Sequence, residues 1–199
     1  MIPKNLTLQT EKVLLRPLEA DDYETFFKLT QQDTGIWEFF SQNLSDAHQL
    51  KEWIDDALAE LESGTRMPFT IIDKNSGSIA GSSSMGNISW YDKRLEIGWS
   101  WLAPEFMSTG INRNAKFALM QYAFEVLNFE RVEFKTGVFN VRARKGLEKV
   151  GGVEEGILRA HSLLWNGNRR TSVFYSVLKD EWPKLKTTIF ADLSPRMHE

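Results

Sequence analysis

The sequence predicts a single α+β domain over residues 1–199, a mixed and mostly antiparallel central sheet with flanking helices. Three observations lead there. Strand-like runs at 69–72, 79–88 and 95–102 follow one another across short polar turns, the pattern of an antiparallel meander. The third run passes through a polar, glycine-containing turn into a long helix and on to another strand at 131–136, a succession that demands a parallel crossover. Runs at 153–164 and 171–178 then flank Asn166-Gly167, a strong hairpin signal.

Taken in order, Leu6 to Leu18 alternates around Val13, Leu14, Leu15 and Arg16 and reads as one opening strand closed by Pro17. Glu19 to Thr30 reads as a helix capped by Asp21 or Asp22, with Phe26, Phe27 and Leu29 on its buried side. Gln31 to Asn43, carrying Gly35, Trp37, Phe39 and Phe40, is an aromatic-rich connection that either packs beneath a loop or walls a small-ligand pocket. Ser45 is the expected cap of a helix reaching about Glu62, because Leu50, Trp53, Ile54, Ala57, Leu58 and Leu61 fall on one stripe before Gly64. Asn75-Ser76-Gly77 and Asp92-Lys93-Arg94 supply the meander turns. Pro104 closes the third strand, and apolar spacing from Ala115 to Leu127 marks the long helix. A helix from Asn140 to Val150 ends at Gly151-Gly152, and Trp182 to Phe190 forms a short last helix. Residues 190–199 are expected to fray, Ser194 to Glu199 above all.

Composition narrows the function. A net charge of −3 argues against a general nucleic-acid binder. The absence of cysteine rules out disulfides, thiolate metal sites and a cysteinyl intermediate, and three scattered histidines form no metal constellation, so no metal is expected. The N-terminal residues lack an apolar signal core and no run of 18 apolar residues occurs, so a cytoplasmic protein with no membrane partner is expected.

The chemistry concentrates in residues 95–127. A strand, a small polar turn at Ser108, Thr109, Gly110 and Asn112, and a helix together outline a phosphate cradle, since the first N–H groups of a helix have no internal partner and sit at its positive end. No Gly-Lys-Ser/Thr follows Gly110 and no second glycine is present, so neither a Walker loop nor a dinucleotide fingerprint fits. An ordinary strand-to-helix turn remains an equal reading of the cradle alone.

The opening LQTEKVLLRPLEADD, the strand EIGWSWLAPEF, the loop ending in Gly110, the stretch NFERVEFKTGVFNVRARKGLEKVGG and the closing EGILRAHSLL with NGNRRTSVFYSVLKDEW together resemble the GNAT acetyltransferases, in particular the RimJ/RimL-type branch. The resemblance runs from about Leu6 to Trp182. It implies an acyl-CoA-dependent N-acyltransferase with a splayed parallel strand pair, acetyl-CoA as co-substrate and a primary amine as acceptor, either a protein N-terminal α-amine or a small amine. A homodimer through the C-terminal hairpin follows by the same analogy.

Carried over by position, the family's pyrophosphate loop falls on Met107, Ser108, Thr109, Gly110, Ile111 and Asn112, with Arg113 following. Gly110 matches outright, Met107 stands in place of Gln or Arg, and Asn112 in place of the last Gly or Ala. Backbone N–H groups make most contacts in such a loop, and Asn tolerates positive φ, so binding of CoA is still expected. The strands should part after Trp101, leaving the backbone of Trp101, Leu102 and Ala103 to pair with the pantetheine arm. Asn140 stands where the family's pantetheine-bonding Asn opens a helix, and a plain N-cap is compatible with that. Arg142, Arg144 and Lys145 lie where a 3′-phosphate could sit, or form a solvated helix face.

Acyl transfer to an amine needs a free amine, a polarised carbonyl and a proton for the leaving thiolate. Glu96 is the candidate base, with alternation placing it beside Gly98 and Ser100 and opposite Trp99 and Trp101; a paired surface carboxylate is the other reading. The family's usual thiolate acids, a Tyr or a Ser, fall on Leu147 and Ala143, which cannot donate, leaving water, Asn140 or Tyr175. His161 borders the acceptor side and reads as structural or as an acid–base group. The missing hydroxyls keep open a catalytically weak CoA-binding sensor or scaffold. Succinyl-CoA is an alternative donor if Arg159 or Arg169 places a cation near the thioester.

Overall fold

Residues 2–193 are described in the computed structural model, which is organised around an eight-stranded sheet in the order β1-β2-β3-β4-β5-β6-β8-β7. The opening strand is in fact two, β1 (Leu8–Gln9) and β2 (Val13–Pro17), folded back on each other. The break lies at Thr10, whose hydroxyl accepts from the N–H groups of Lys12 and Val13 and turns the chain. The meander follows as β3 (Arg66–Asp73), β4 (Ile79–Ser89) and β5 (Arg94–Leu102), and β3 starts early because Arg66 pairs with Gly86. β5 and β6 (Arg131–Gly137) run parallel, as the crossover requires. β8 (Arg169–Leu178) lies between β6 and the outer strand β7 (Val153–Leu163), antiparallel to both.

The helices divide between two cores. α3 (Ile111–Gln121), prolonged by a π-helical turn over Tyr122–Val126, joins α4 (Val141–Glu148) and α5 (Trp182–Thr187) in a core that includes Leu95, Ile97, Phe134 and Val173. α1 (Tyr23–Thr30) and α2 (Ala47–Ser63) build the second around Phe26, Trp37, Trp53 and Trp101. Two capping expectations change. Asp46, rather than Ser45, caps α2, accepting from the N–H groups of His48 and Gln49, while the Ser45 hydroxyl is engaged with Asn43. Asp22 does not cap α1 with its side chain; its buried carboxylate accepts from Arg16 at 2.9 Å, Thr70 at 2.6 Å and the Glu19 N–H. Burial opposes ionisation there, but the bonds from Arg16 and Thr70 outweigh it and hold the carboxyl below its usual range.

Phe190 is fully buried against Phe117 and Trp182, so fraying does not begin at residue 190; residues 194–199 lie outside the described ones. Among the described residues no helix is long and apolar enough to cross a membrane.

Candidate active site

Parallel pairing of β5 with β6 covers Arg94, Leu95 and Glu96 opposite Arg131, Val132 and Glu133, and ends there. The strands therefore part after Glu96, earlier than the expected point at Trp101. A bulge accompanies the parting: Ser82 opposes Trp101 and Ser84 opposes Gly98, so Trp99 and Ser100 share one partner and Trp99 takes a left-handed φ of 51°. The extra residue inverts the alternation beyond it. Ser100 thus faces the α3 side with Leu95 and Ile97, whereas Trp99 lies under the Arg66 guanidinium and Trp101 packs on Phe26 and Trp37 across the sheet. Glu96 shares that second face, so the expected grouping with Ser100 and opposite the two tryptophans is corrected.

Beyond Glu96 the edge of β5 away from β4 is open. Ala103 drops out of the expected backbone set because its N–H is taken by the Ala80 carbonyl at 2.9 Å and its own carbonyl accepts from Phe106. Since Ala103 pairs across to Ala80, ladder alternation points the N–H and C=O of Leu102 into the gap instead. Gly81 allows β4 to lie this close, as a Cβ there would sit 2.1 Å from the Trp101 carbonyl oxygen.

The polar loop meets the open edge. Gly110 adopts φ 93° and Ser108 φ 62°, curling the chain into α3, which starts at Ile111, four residues before its apolar spacing begins at Ala115. The first helical bond of this turn is Asn114 N–H to the Gly110 carbonyl, and among the described residues no protein acceptor takes the N–H groups of Ser108, Thr109, Gly110, Ile111, Asn112 or Arg113. A run of free donors on a curled backbone at a helix start is a concave anion site. Lys12 from β1–β2 adds a cation by donating to the Thr109 carbonyl, which also braces the loop. The Arg113 side chain is turned away, bonded to Asp192 at 2.9 Å and stacked over Phe190, so only its backbone N–H belongs to the run of free donors.

α4 supplies the other wall. Arg142 approaches the Met107 sulfur at 3.0 Å, and Asn112 lies against Gly146. Asn140 is the N-cap of α4, its side-chain oxygen accepting from the Ala143 N–H at 3.0 Å, which leaves its amide N–H₂ free toward a cleft of about 390 Å³ lined by Asp33, Phe39, Phe139 and Arg142. Arg144 is removed from the expected phosphate contacts: it donates to Tyr175 Oη, the Val138 carbonyl and Glu154. The same network occupies the Tyr175 hydroxyl, so Tyr175 is not a free proton donor. Arg142 and Lys145 remain exposed. Arg159 and Arg169 are exposed on the hairpin strands.

On the opposite face Glu96, only 6% exposed, accepts from Asn87 at 2.7 Å and Lys135 at 2.9 Å. The pairing that sequence left open is realised. Both bonds end on Oε2, so among the described residues Oε1 has no protein donor, and it lies where a side chain on Gly98 would collide with it. His161 meets Ser172 at 3.1 Å, and burial, followed by the charges of Lys135 and Arg170, pushes its pKa down, favouring the neutral ring at pH 7. The β7–β8 hairpin also fixes the aromatic connection: Trp165 Nε1 donates to the Trp37 carbonyl at 3.0 Å, the Trp165 N–H to Phe40 at 3.3 Å, and Arg170 to Phe39 at 3.1 Å.

Sequence reasoning missed Lys12, Asn87, Lys135 and Lys116. Lys116 is 4% exposed on the buried side of α3; its ammonium reaches Ser100 Oγ at 2.9 Å and lies 5.5 Å from the centre of the Phe134 ring. A signal existed, since Leu119 and Met120 at i+3 and i+4 share its stripe and both are core residues.

The comparisons with known proteins agree with this geometry. Residues 12–153 match the model of the acetyltransferase (GNAT) domain. YdaF of Bacillus subtilis, which bears the provisional name of a ribosomal N-acetyltransferase, is 35% identical over 86% of this chain and 94% of its own. A GCN5-related N-acetyltransferase of Brucella melitensis superposes with a TM-score of 0.86 at 28% identity, covering 99% of this chain and 89% of that one. RimJ of Mycobacterium smegmatis, solved with CoA-disulfide, shares the fold at a TM-score of 0.82 and 21% identity over 97% of this chain and 98% of that one. A domain match over most of the chain, with a curated relative above 30% identity along nearly its full length, establishes that this chain belongs to the GNAT family of acyl-CoA-dependent N-acetyltransferases.

Proposed function

We propose that the chain transfers acetyl from acetyl-CoA to a primary amine by direct attack with donor and acceptor bound together. The observation that carries this reading is the run of free N–H groups from Ser108 to Arg113 beside an open strand edge, with Glu96 Oε1 on the other face of that strand. The diphosphate fits the loop, with Lys12 adding charge, and Leu102 and the Asn140 amide are positioned to hold the pantetheine. Bound acetyl-CoA supplies the thioester. Glu96 draws a proton from the acceptor through water at Oε1, and Lys135 and Asn87 keep its carboxylate oriented. An α-amine, with a pKa of about 8, needs only such weak assistance. The name of the Bacillus relative supports an amine of the ribosome as acceptor, and a protein α-amine is the one proposed; the small-amine alternative stays in the test.

A second reading, a CoA-binding sensor with little turnover, is favoured by Leu147 and Ala143, neither of which carries a hydroxyl. Calorimetric titration with CoA, followed by thiol release from acetyl-CoA over N-terminal peptides, lysine peptides and polyamines, separates the two. Turnover on N-terminal peptides is expected; tight binding with no turnover on any acceptor leaves only the sensor, and no binding removes both.

A homodimer through the C-terminal hairpin is also proposed. Among the described residues the outer edge of β7 is unpaired, and Ile157, Leu158 and Leu163 are exposed along it. Sedimentation should give twice the chain mass, and charged substitutions at Ile157 and Leu163 should return a monomer; a monomeric unmodified chain would dismiss the assembly.

A further inference from the structure

The strands that part after Glu96 are bridged from below by one side chain. Lys116 projects from α3 to Ser100 on β5 and lies over Phe134 on β6, so its ammonium forms the floor of the gap between them. This position is expensive for a lysine. No carboxylate hydrogen-bonds to it among the described residues, its sole bonding partner being the Ser100 hydroxyl, which also meets Ser83. A methionine or leucine would fill the same volume without desolvating a charge, so a purely structural account leaves the residue unexplained.

We infer that Lys116 is the acid that protonates the sulfur of the departing CoA thiolate, the place that Leu147 and Ala143 leave vacant. The inference rests on the proposed seating of the donor along the open edge of β5. As the amine nitrogen bonds to the carbonyl carbon, the carbon–sulfur bond breaks and its electron pair goes to sulfur. Lys116 Nζ gives sulfur a proton and returns as a neutral amine. Glu96 gives the first proton, taken from the acceptor ammonium before attack, to solvent; the second, shed by the acylated nitrogen, passes through water and restores the Lys116 ammonium, so the sum from the free amine is amine plus thioester to amide plus thiol.

The electrostatics suit this task. Burial pushes the Lys116 pKa down to about 8, partly opposed by the field of Glu96 on the other face of β5; Ser100, Ser83 and Phe134, which face it from the neighbouring strands, are uncharged. An acid near 8 matches an alkyl thiol at roughly 8.5 and remains mostly protonated at neutral pH.

The test reads the thiol itself. CoA bound to the unmodified enzyme should ionise, followed by the ultraviolet absorbance of the thiolate, about one pH unit or more below free CoA, because an ammonium within contact distance favours the anion. Lys116→Met should bind CoA within about threefold of the unmodified enzyme, lose that shift, and lose about 100-fold in kcat. Lys116→Arg should keep the shift, since the charge remains, yet still lose kcat, because a guanidinium does not release its proton in this range. An unshifted thiol in the unmodified enzyme, or full kcat in either variant, would overturn the role of Lys116 while leaving the donor site intact. A loss of kcat in Lys116→Met with the thiol shift unchanged would reduce the residue to packing and also overturn it. Failure of the unmodified enzyme to bind CoA would instead sink the donor reading.

Discussion

Glu96→Gln is expected to lower kcat about 100-fold at neutral pH while CoA affinity stays within about twofold, the usual scale for loss of a general base. Glutamine keeps the volume and can still accept from Asn87 and Lys135, so the fold should survive. The sign of the pH dependence distinguishes proton removal from positioning. Above about pH 8 an α-amine acceptor is already free base, so the deficit should narrow as pH rises. A deficit that is constant with pH would assign Glu96 to orientation, and an unaltered kcat would remove it from the reaction. Lys135 supplies the control: released from a formal charge in the variant, it should not by itself restore turnover.

Gly110→Val should weaken CoA binding at least tenfold by calorimetry and lower the thermal unfolding midpoint by only a few degrees. Gly110 holds φ 93°, where a side chain costs about 1–2 kcal/mol, and a β-branched one more. About 1.4 kcal/mol corresponds to a factor of ten in affinity. The cost is conformational rather than steric within the protein, because the nearest atoms to an added Cβ are Lys12 Nζ at 3.7 Å and Asn114 Nδ2 at 3.9 Å. The valine therefore either reshapes the curl or stands in the space over the free N–H groups. Affinity equal to that of the unmodified chain would show that the diphosphate rests elsewhere.

The elements themselves were readable because their cues are local. Alternation, the Asn166-Gly167 turn and the apolar stripe of α2 each arise within a few residues, and the parallel crossover follows from element order. The bulge at Trp99 has no such cue: tryptophan disfavours positive φ, and its ring is held by the Arg66 guanidinium and the second core, contacts that no local spacing announces. From that one residue came the misjudged faces of Ser100, Trp99 and Trp101. The side chains of Arg144 and Arg113 are held by Glu154, on the strand that follows α4, and by Asp192 in the C-terminal segment, partners that the spacing around each arginine does not announce. Asn140 and Gly110 were legible because cap and turn chemistry is set by the residue itself.

The three bonds by which the hairpin grips the aromatic connection all end on main-chain oxygens, those of Trp37, Phe39 and Phe40. A carbonyl persists whichever amino acid carries it. Substitutions at Gly35 or Phe39 can thus change the side chains that line the cleft beside Asn140 while the connection itself keeps its place.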